Sequence, residues 1–466
     1  MRVQGRRPVV TVVKSFIAAA LVAVVTLAPR PATGQEGDAL LAAAKHRGRD
    51  DVHALLQAGA PVDGAEADGT TALHWASYRD DLNTAELLID SGANVDAAND
   101  LGVTPLWVAA ENGSSAMVRA LLEADANPNA ALLLGETPLM VASRAGAPQV
   151  VEQLLVGGAS TSATAARGQT ALMWAVAQRH PDVVDLLLQH GADVHARSDV
   201  WSQVMAVPPH GRPEYNSDVP HGGNTALMFA ARVGDLASAK LLVASGADVN
   251  DTDAWGVSAT VLAAHSGYLP LVDFLLENGA DPNLATAGFA GLHEAVMRRD
   301  EAMVTTLLDH GADPNIVLKT WTPTRRSSRD FNFPPVLVGA TPFWLAARFA
   351  QPTLMRLLAE HGADPLFSHD VEYTPDGYYS GQQRETTTTL MAAVGMGGRR
   401  LRTWVPGDRS KLEEQVLESA KLAVELGVAV NAVDIEGRTA LDGATASGYD
   451  TVVEFLIEHG AQPGSI

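Results

Sequence analysis

A glycine that returns every 33 residues along most of this chain restricts its fold more than any other feature. Gly59, Gly92, Gly158, Gly191, Gly246, Gly279, Gly311, Gly362, Gly427 and Gly460 each close an apolar stretch and open a polar turn, with Asp125 in the equivalent place. Successive spacings are 33, 33, 33, 33, 55, 33, 32, 51, 65 and 33, so three intervals hold a repeat plus 22, 18 or 32 extra residues. A fixed period of this length marks small units that bury their apolar faces only by stacking on neighbours.

Gly168 to Ala196 shows what one unit does locally. Thr170 predicts an N-cap, its hydroxyl accepting from an otherwise unpaired N–H of the first helical turn. Elsewhere the next residue is proline (Pro105, Pro138, Pro342), which loses no hydrogen bond at the first helical position. A short apolar helix over Ala171–Gln178 is predicted to stop near Arg179, where other copies carry Gly113, Gly146, Gly234, Gly267 or Gly448. A second helix over Asp182–Gln189 carries Val183, Val184, Leu186, Leu187 and Leu188 and ends at the turn glycine.

With TALHWA at Thr71–Ala76 and TPLWVA at Thr104–Ala109, the chain resembles the ankyrin repeat, whose signature is T-P-L-H-x-A at a 33-residue period. The resemblance covers residues 38 to 466 as about eleven units, the first atypical and polar. It implies an all-α solenoid of helix-turn-helix repeats, curved, with a concave face built from turns and first helices. It also implies binding of other proteins rather than catalysis, by a monomer.

Insertions fall at about 197–222, 319–339, 367–387 and 395–410. In the first, prolines and polar residues forbid a long helix, so it is predicted to be a loop with extended character. Aromatics concentrate in the insertions of a chain only 5% aromatic. Candidate partner-binding residues are Trp201, Tyr215, Trp321, Arg325, Arg326, Phe331, Phe333, Tyr378, Tyr379 and Arg384, because aromatics and arginine dominate binding hot spots. The competing expectation is that these loops fold back over apolar surface.

Residues 1–34 have the layout of a secretory signal peptide: Arg2, Arg6, Arg7 and Lys14, an apolar run from Phe16 to Ala28, then small residues to Gly34. Cleavage after Ala28 or Gly34 is expected, giving a periplasmic or secreted protein; an uncleaved anchor is the alternative. That segment holds five basic and no acidic residues, which leaves 28 Lys+Arg against 54 Asp+Glu, a net of −26. Such a field repels phosphate backbones, so nucleic acid is not an expected partner.

Cysteine is absent, which excludes disulfides and thiolate metal sites. No phosphate loop, nucleophile elbow or H-E-x-x-H motif occurs. Of the 14 histidines, His190, His310, His361 and His459 share the slot before the turn glycine, where they meet open helix carbonyls. His74 and His293 match the signature histidine, and His180 precedes a second helix. His195, His210, His221 and His369 lie in or beside insertions without ligand spacing, so no metal or cofactor is expected. The residues favour a non-enzymatic scaffold for an unknown protein partner, with an envelope glycan or small-ligand binder and a host-directed effector as alternatives.

Overall fold

The computed structural model describes residues 35–205, 216–322, 333–375, 381–398 and 409–465. The chain divides into two compact units, one reaching Ala166 and resuming over Thr170–Ala192, the other made of Arg167–Gln169 with Asp193–Ile466. The expected signal segment lies outside the described residues.

The first unit is five helix pairs: α1 (Gln35–Lys45) and α2 (Arg49–Gln57), α3 (Ala72–Arg79) and α4 (Leu82–Asp90), α5 (Pro105–Asn112) and α6 (Ser115–Glu123), α7 (Pro138–Ala145) and α8 (Pro148–Val156), α9 (Ala171–Ala177) and α10 (Pro181–Gln189). First helices stack on first helices and second on second. In the second unit β1 (Trp201–Met205) and β2 (Ser217–His221) come first. Helix pairs α11 (Ala226–Val233) with α12 (Leu236–Ala244), α13 (Ala259–Ser266) with α14 (Leu269–Glu277) and α15 (Gly291–Arg298) with α16 (Glu301–Asp309) follow. Next are α17 (Pro342–Arg348), α18 (Pro352–Glu360), β3 (Ser368–Tyr373), β4 (Gln383–Thr388), α19 (Thr389–Ala393), α20 (Arg409–Glu425), α21 (Ala440–Ser447) and α22 (Asp450–Glu458).

The helical-repeat expectation holds, and two of the inserted segments add short strands to it. Inserted segments at the first and third sites pair with themselves as antiparallel hairpins, Trp201 opposite His221 and Ser368 opposite Thr388. Their backbone groups thereby find partners that a single extended strand lacks. The hairpin at the third site is also tied into its unit: the buried Arg348 donates to the Gly397 carbonyl (2.6 Å), and Gly398 N donates to Glu385 (2.6 Å).

Threonine or serine caps most first helices as expected, Thr104, Thr137, Thr170, Ser258 and Thr341 each accepting from the third amide of the helix. The leucines two residues after the cap (Leu73, Leu106, Leu139, Leu172, Leu227, Leu292) are at most 1% exposed, each burial contributing about 1.5–3 kcal/mol. Asp125 has φ 64, taking the left-handed turn that glycine adopts in the other repeats.

A ladder of Asn and Asp side chains joins successive turns. The residue four positions after the turn glycine accepts from the amide two positions after the next one. In the first unit Asp63, Asp96 and Asn129 do so at 2.8 Å. In the second, Asn250, Asn283, Asn315 and Asn431 do so at 2.7 to 2.8 Å. Asn283 Nδ2 also donates to the Gly311 carbonyl at 2.9 Å. The Asn315 rung reaches Asp364, so the second insertion leaves the ladder unbroken.

Histidines in repeated slots are structural. His310, His361 and His459 contact the carbonyl four residues back through Nδ1 at 2.8 to 2.9 Å, whereas His190 lies 3.5 Å from Glu152. His74 and His293 accept the N-cap amide at Nδ1 (3.1 Å each) and donate from Nε2 to the Val103 and Ile316 carbonyls. Met140, Met173, Met228 and Met391 fill the same slot by packing alone, each at most 1% exposed.

Asn283→Ala is expected to lower unfolding stability by about 1–2 kcal/mol, two hydrogen bonds being lost, with faster hydrogen exchange at the Asp313 amide. Burial holds His293 down to about 4 from 6.5. The unfolded chain therefore takes up a proton below pH 6.5 that the folded chain refuses, and stability falls between pH 6.5 and 4 by about 3 kcal/mol from this group. His293→Met should flatten that part of a thermal-midpoint-against-pH curve; an unchanged slope would contradict the assignment.

Candidate functional site

Within a repeat, the residue after the signature histidine slot and the one three further along share a helix face. Their side chains stand against those of the next first helix rather than in the core. In the first unit Lys45 Nζ lies 4.3 Å from the Trp75 ring centroid, and the Arg144 guanidinium 5.0 Å from that of Trp174. The equivalent pair in the second unit is His265 and Glu294, with Nδ1 2.9 Å from Oε2.

That pair belongs to a cavity of about 480 Å³ whose lining lies wholly in the second unit. Its helical side is Phe229 and Arg232 of α11, Leu262 and His265 of α13, and Glu294 of α15. Asp253 opens a turn by accepting from the amides of Trp255 (3.0 Å) and Val257 (2.9 Å), which presents the Trp255 indole to the cavity. The first hairpin supplies the opposite side. Trp201 stacks on its cross-strand partner His221 at 4.5 Å, and the Arg167 guanidinium lies 4.5 Å from the same indole.

Polar groups here are unevenly satisfied. Arg232 donates to Asn224 Oδ1 at 2.9 Å and stands 3.9 Å from Asp253; burial lowers its pKa, with Asp253 opposing the shift. His221 Nε2 is buried without a partner among the described residues. Glu294 is 3% exposed, and among the described residues His265 is its hydrogen-bond partner.

The predicted binding residues divide. Trp201 is half-buried at the cavity wall, and Trp321 is half-buried next to Thr322, which also lines it. Phe333 is corrected from partner anchor to core: it is 1% exposed, its ring 5.5 Å from Phe289 and 6.1 Å from His293. The backbone forces this by closing the base of the second insertion, Thr322 N donating to the Phe333 carbonyl (3.0 Å) and Phe333 N to Thr322 Oγ1 (2.8 Å). Arg384 is exposed but paired across its hairpin with Asp370, whose carboxyl it holds below the usual range. Tyr215, Arg325, Arg326, Phe331, Tyr378 and Tyr379 lie outside the described residues.

His369 is buried, bonded through Nε2 to the Val338 carbonyl at 2.9 Å and packed 4.3 Å from Trp344. Among the described residues no group of three or more histidines and carboxylates could hold a metal ion, and no helix is long and apolar enough to cross a membrane. Sequence reasoning missed Trp255, Arg167 and Glu294. Glu294 had a signal: its slot holds Trp75, Val108, Val141, Trp174, Phe229, Leu262 and Leu345 in other repeats.

A family model of ankyrin repeats matches residues 40–132, 125–198, 210–286, 227–317 and 262–369, together about two-thirds of the chain. Mouse Rabankyrin-5 is 27% identical over 184 residues, 39% of this chain. Zebrafish (Danio rerio) ankyrin repeat domain-containing protein 29 is 45% identical over 60 residues, 13% of it. These matches span 13% and 20% of the two relatives' own lengths.

Phe333→Ala is expected to cost about 3–5 kcal/mol, and Trp321→Ala within about 1 kcal/mol. Chemical denaturation of the two variants checks the ordering, and equal losses would contradict it.

Proposed function

The chain belongs to the ankyrin-repeat family and is a protein-interaction scaffold, and from that premise we propose that it grips an extended segment of a partner protein at the second unit's cavity. One observation carries this reading: side chains at the helix face around Phe229, His265 and Glu294 surround open space of about 480 Å³ instead of filling it. A cavity of that size, with aromatic walls and polar and charged groups in its lining, can hold an anchor side chain of a partner. A glycan is less well served, because the Trp201 ring is already engaged by His221 and Arg167. We assign no catalytic step.

We further propose export and removal of the first 34 residues, supported by their basic start, apolar run and small-residue end. The mature protein then works as a monomer in the periplasm or outside the cell.

Two measurements test this. N-terminal sequencing of the protein from fractionated cells should find a chain starting after Ala28 or Gly34 in the exported fraction; an intact Met1 in the cytoplasm would refute export. Crosslinking capture with the mature protein should lose its partner in a Trp201→Ala, Trp255→Ala double variant that keeps its thermal midpoint. Undiminished capture would place the partner elsewhere.

A further inference from the structure

Glu294 stands in a slot that seven other repeats fill with aromatic or aliphatic residues, yet it is 3% exposed. Burying a carboxylate costs several kcal/mol unless a positive charge or dense hydrogen bonding compensates. Within the unit Glu294 meets the imidazole of His265, so packing alone gives no reason for a carboxylate here. The ionised groups lining the cavity are Asp199, Asp253 and Glu294 against Arg167 and Arg232. Asp253 faces Arg232 at 3.9 Å. The lining thus holds three carboxylates against two guanidinium groups, and its most buried carboxylate, Glu294, faces the imidazole of His265 at 2.9 Å and not a guanidinium.

We infer that the cavity receives an arginine side chain of the partner, its guanidinium on Glu294. This deepens the scaffold reading and rests on it. A guanidinium carries five donors in a plane, enough for the Glu294 carboxylate and for the unpartnered Nε2 of His221, which lines the same cavity. The Phe229, Phe289 and Trp255 rings supply the aromatic surface on which such a plane stacks. The chain's net charge of −21 draws cationic segments toward it.

The test is titration of the full mature protein with the tripeptide acetyl-Gly-Arg-Gly-amide and its neutral citrulline counterpart, read by tryptophan emission at low salt. Saturable binding of the arginine peptide is expected, with the citrulline peptide about tenfold weaker, about 1.4 kcal/mol. Glu294→Gln should bring the arginine peptide to the citrulline level while leaving the circular dichroism unchanged. Glu294→Leu, the residue its slot holds in Leu262 and Leu345, should abolish binding and raise the thermal midpoint. Equal binding of the two peptides, no saturable signal from either, or unaffected binding by Glu294→Gln would each overturn the inference. Should the peptide bind as expected while partner capture survives Glu294→Gln, the arginine site stands and the partner docks elsewhere.

Discussion

Helices of seven to nine residues dominate this protein, and in water helices so short are not stable alone. Each exists because the next first helix covers one of its flanks and its own second helix another. Every other feature depends on that mutual burial. The Asn and Asp ladder supplements it at the turns, where amides would otherwise lack partners, and it fixes how far one repeat sits from the next. Since Asn315 still meets Asp364 across the second insertion, added chain length can be looped out without disturbing the stack.

That separation of duties frees certain positions for function. The residue two positions after the cap, leucine in most pairs, is buried and has no latitude. The residue after the histidine slot has it, because its side chain meets the neighbouring first helix at the edge of the core. There the chain places Trp75 and Trp174 under basic side chains, and Glu294 against His265. A buried carboxylate beside open space costs stability that an apolar residue would not.

Much of the fold was legible from the residues. The glycine period located the turns, the Thr-Pro pairs located the helix starts, and Asp125 stood for a glycine because aspartate tolerates the left-handed backbone. The carbonyl contacts of His310, His361 and His459 followed from their position at a helix end. The ladder was equally available, since Asn250, Asn283, Asn315 and Asn431 share one offset from their glycines, but its meaning emerges only when two turns are seen side by side. The candidate site was less legible. Trp201 lines the cavity; Phe333, chosen by the same composition argument, is core. Composition counts aromatics without saying which way the chain turns them.

By itself the sequence determined the repeat, its helix boundaries and the places where extra chain enters, because caps, prolines and glycines act within a few residues of themselves. Tertiary structure decided which insertions pair into hairpins, that Phe333 faces inward, and that Trp201, Trp255 and Glu294 border one space. The hairpins pair residues 10 to 20 positions apart, whereas the other two outcomes bring together residues 39 to 93 apart, and no local preference encodes which of many such pairings the packed repeats will permit.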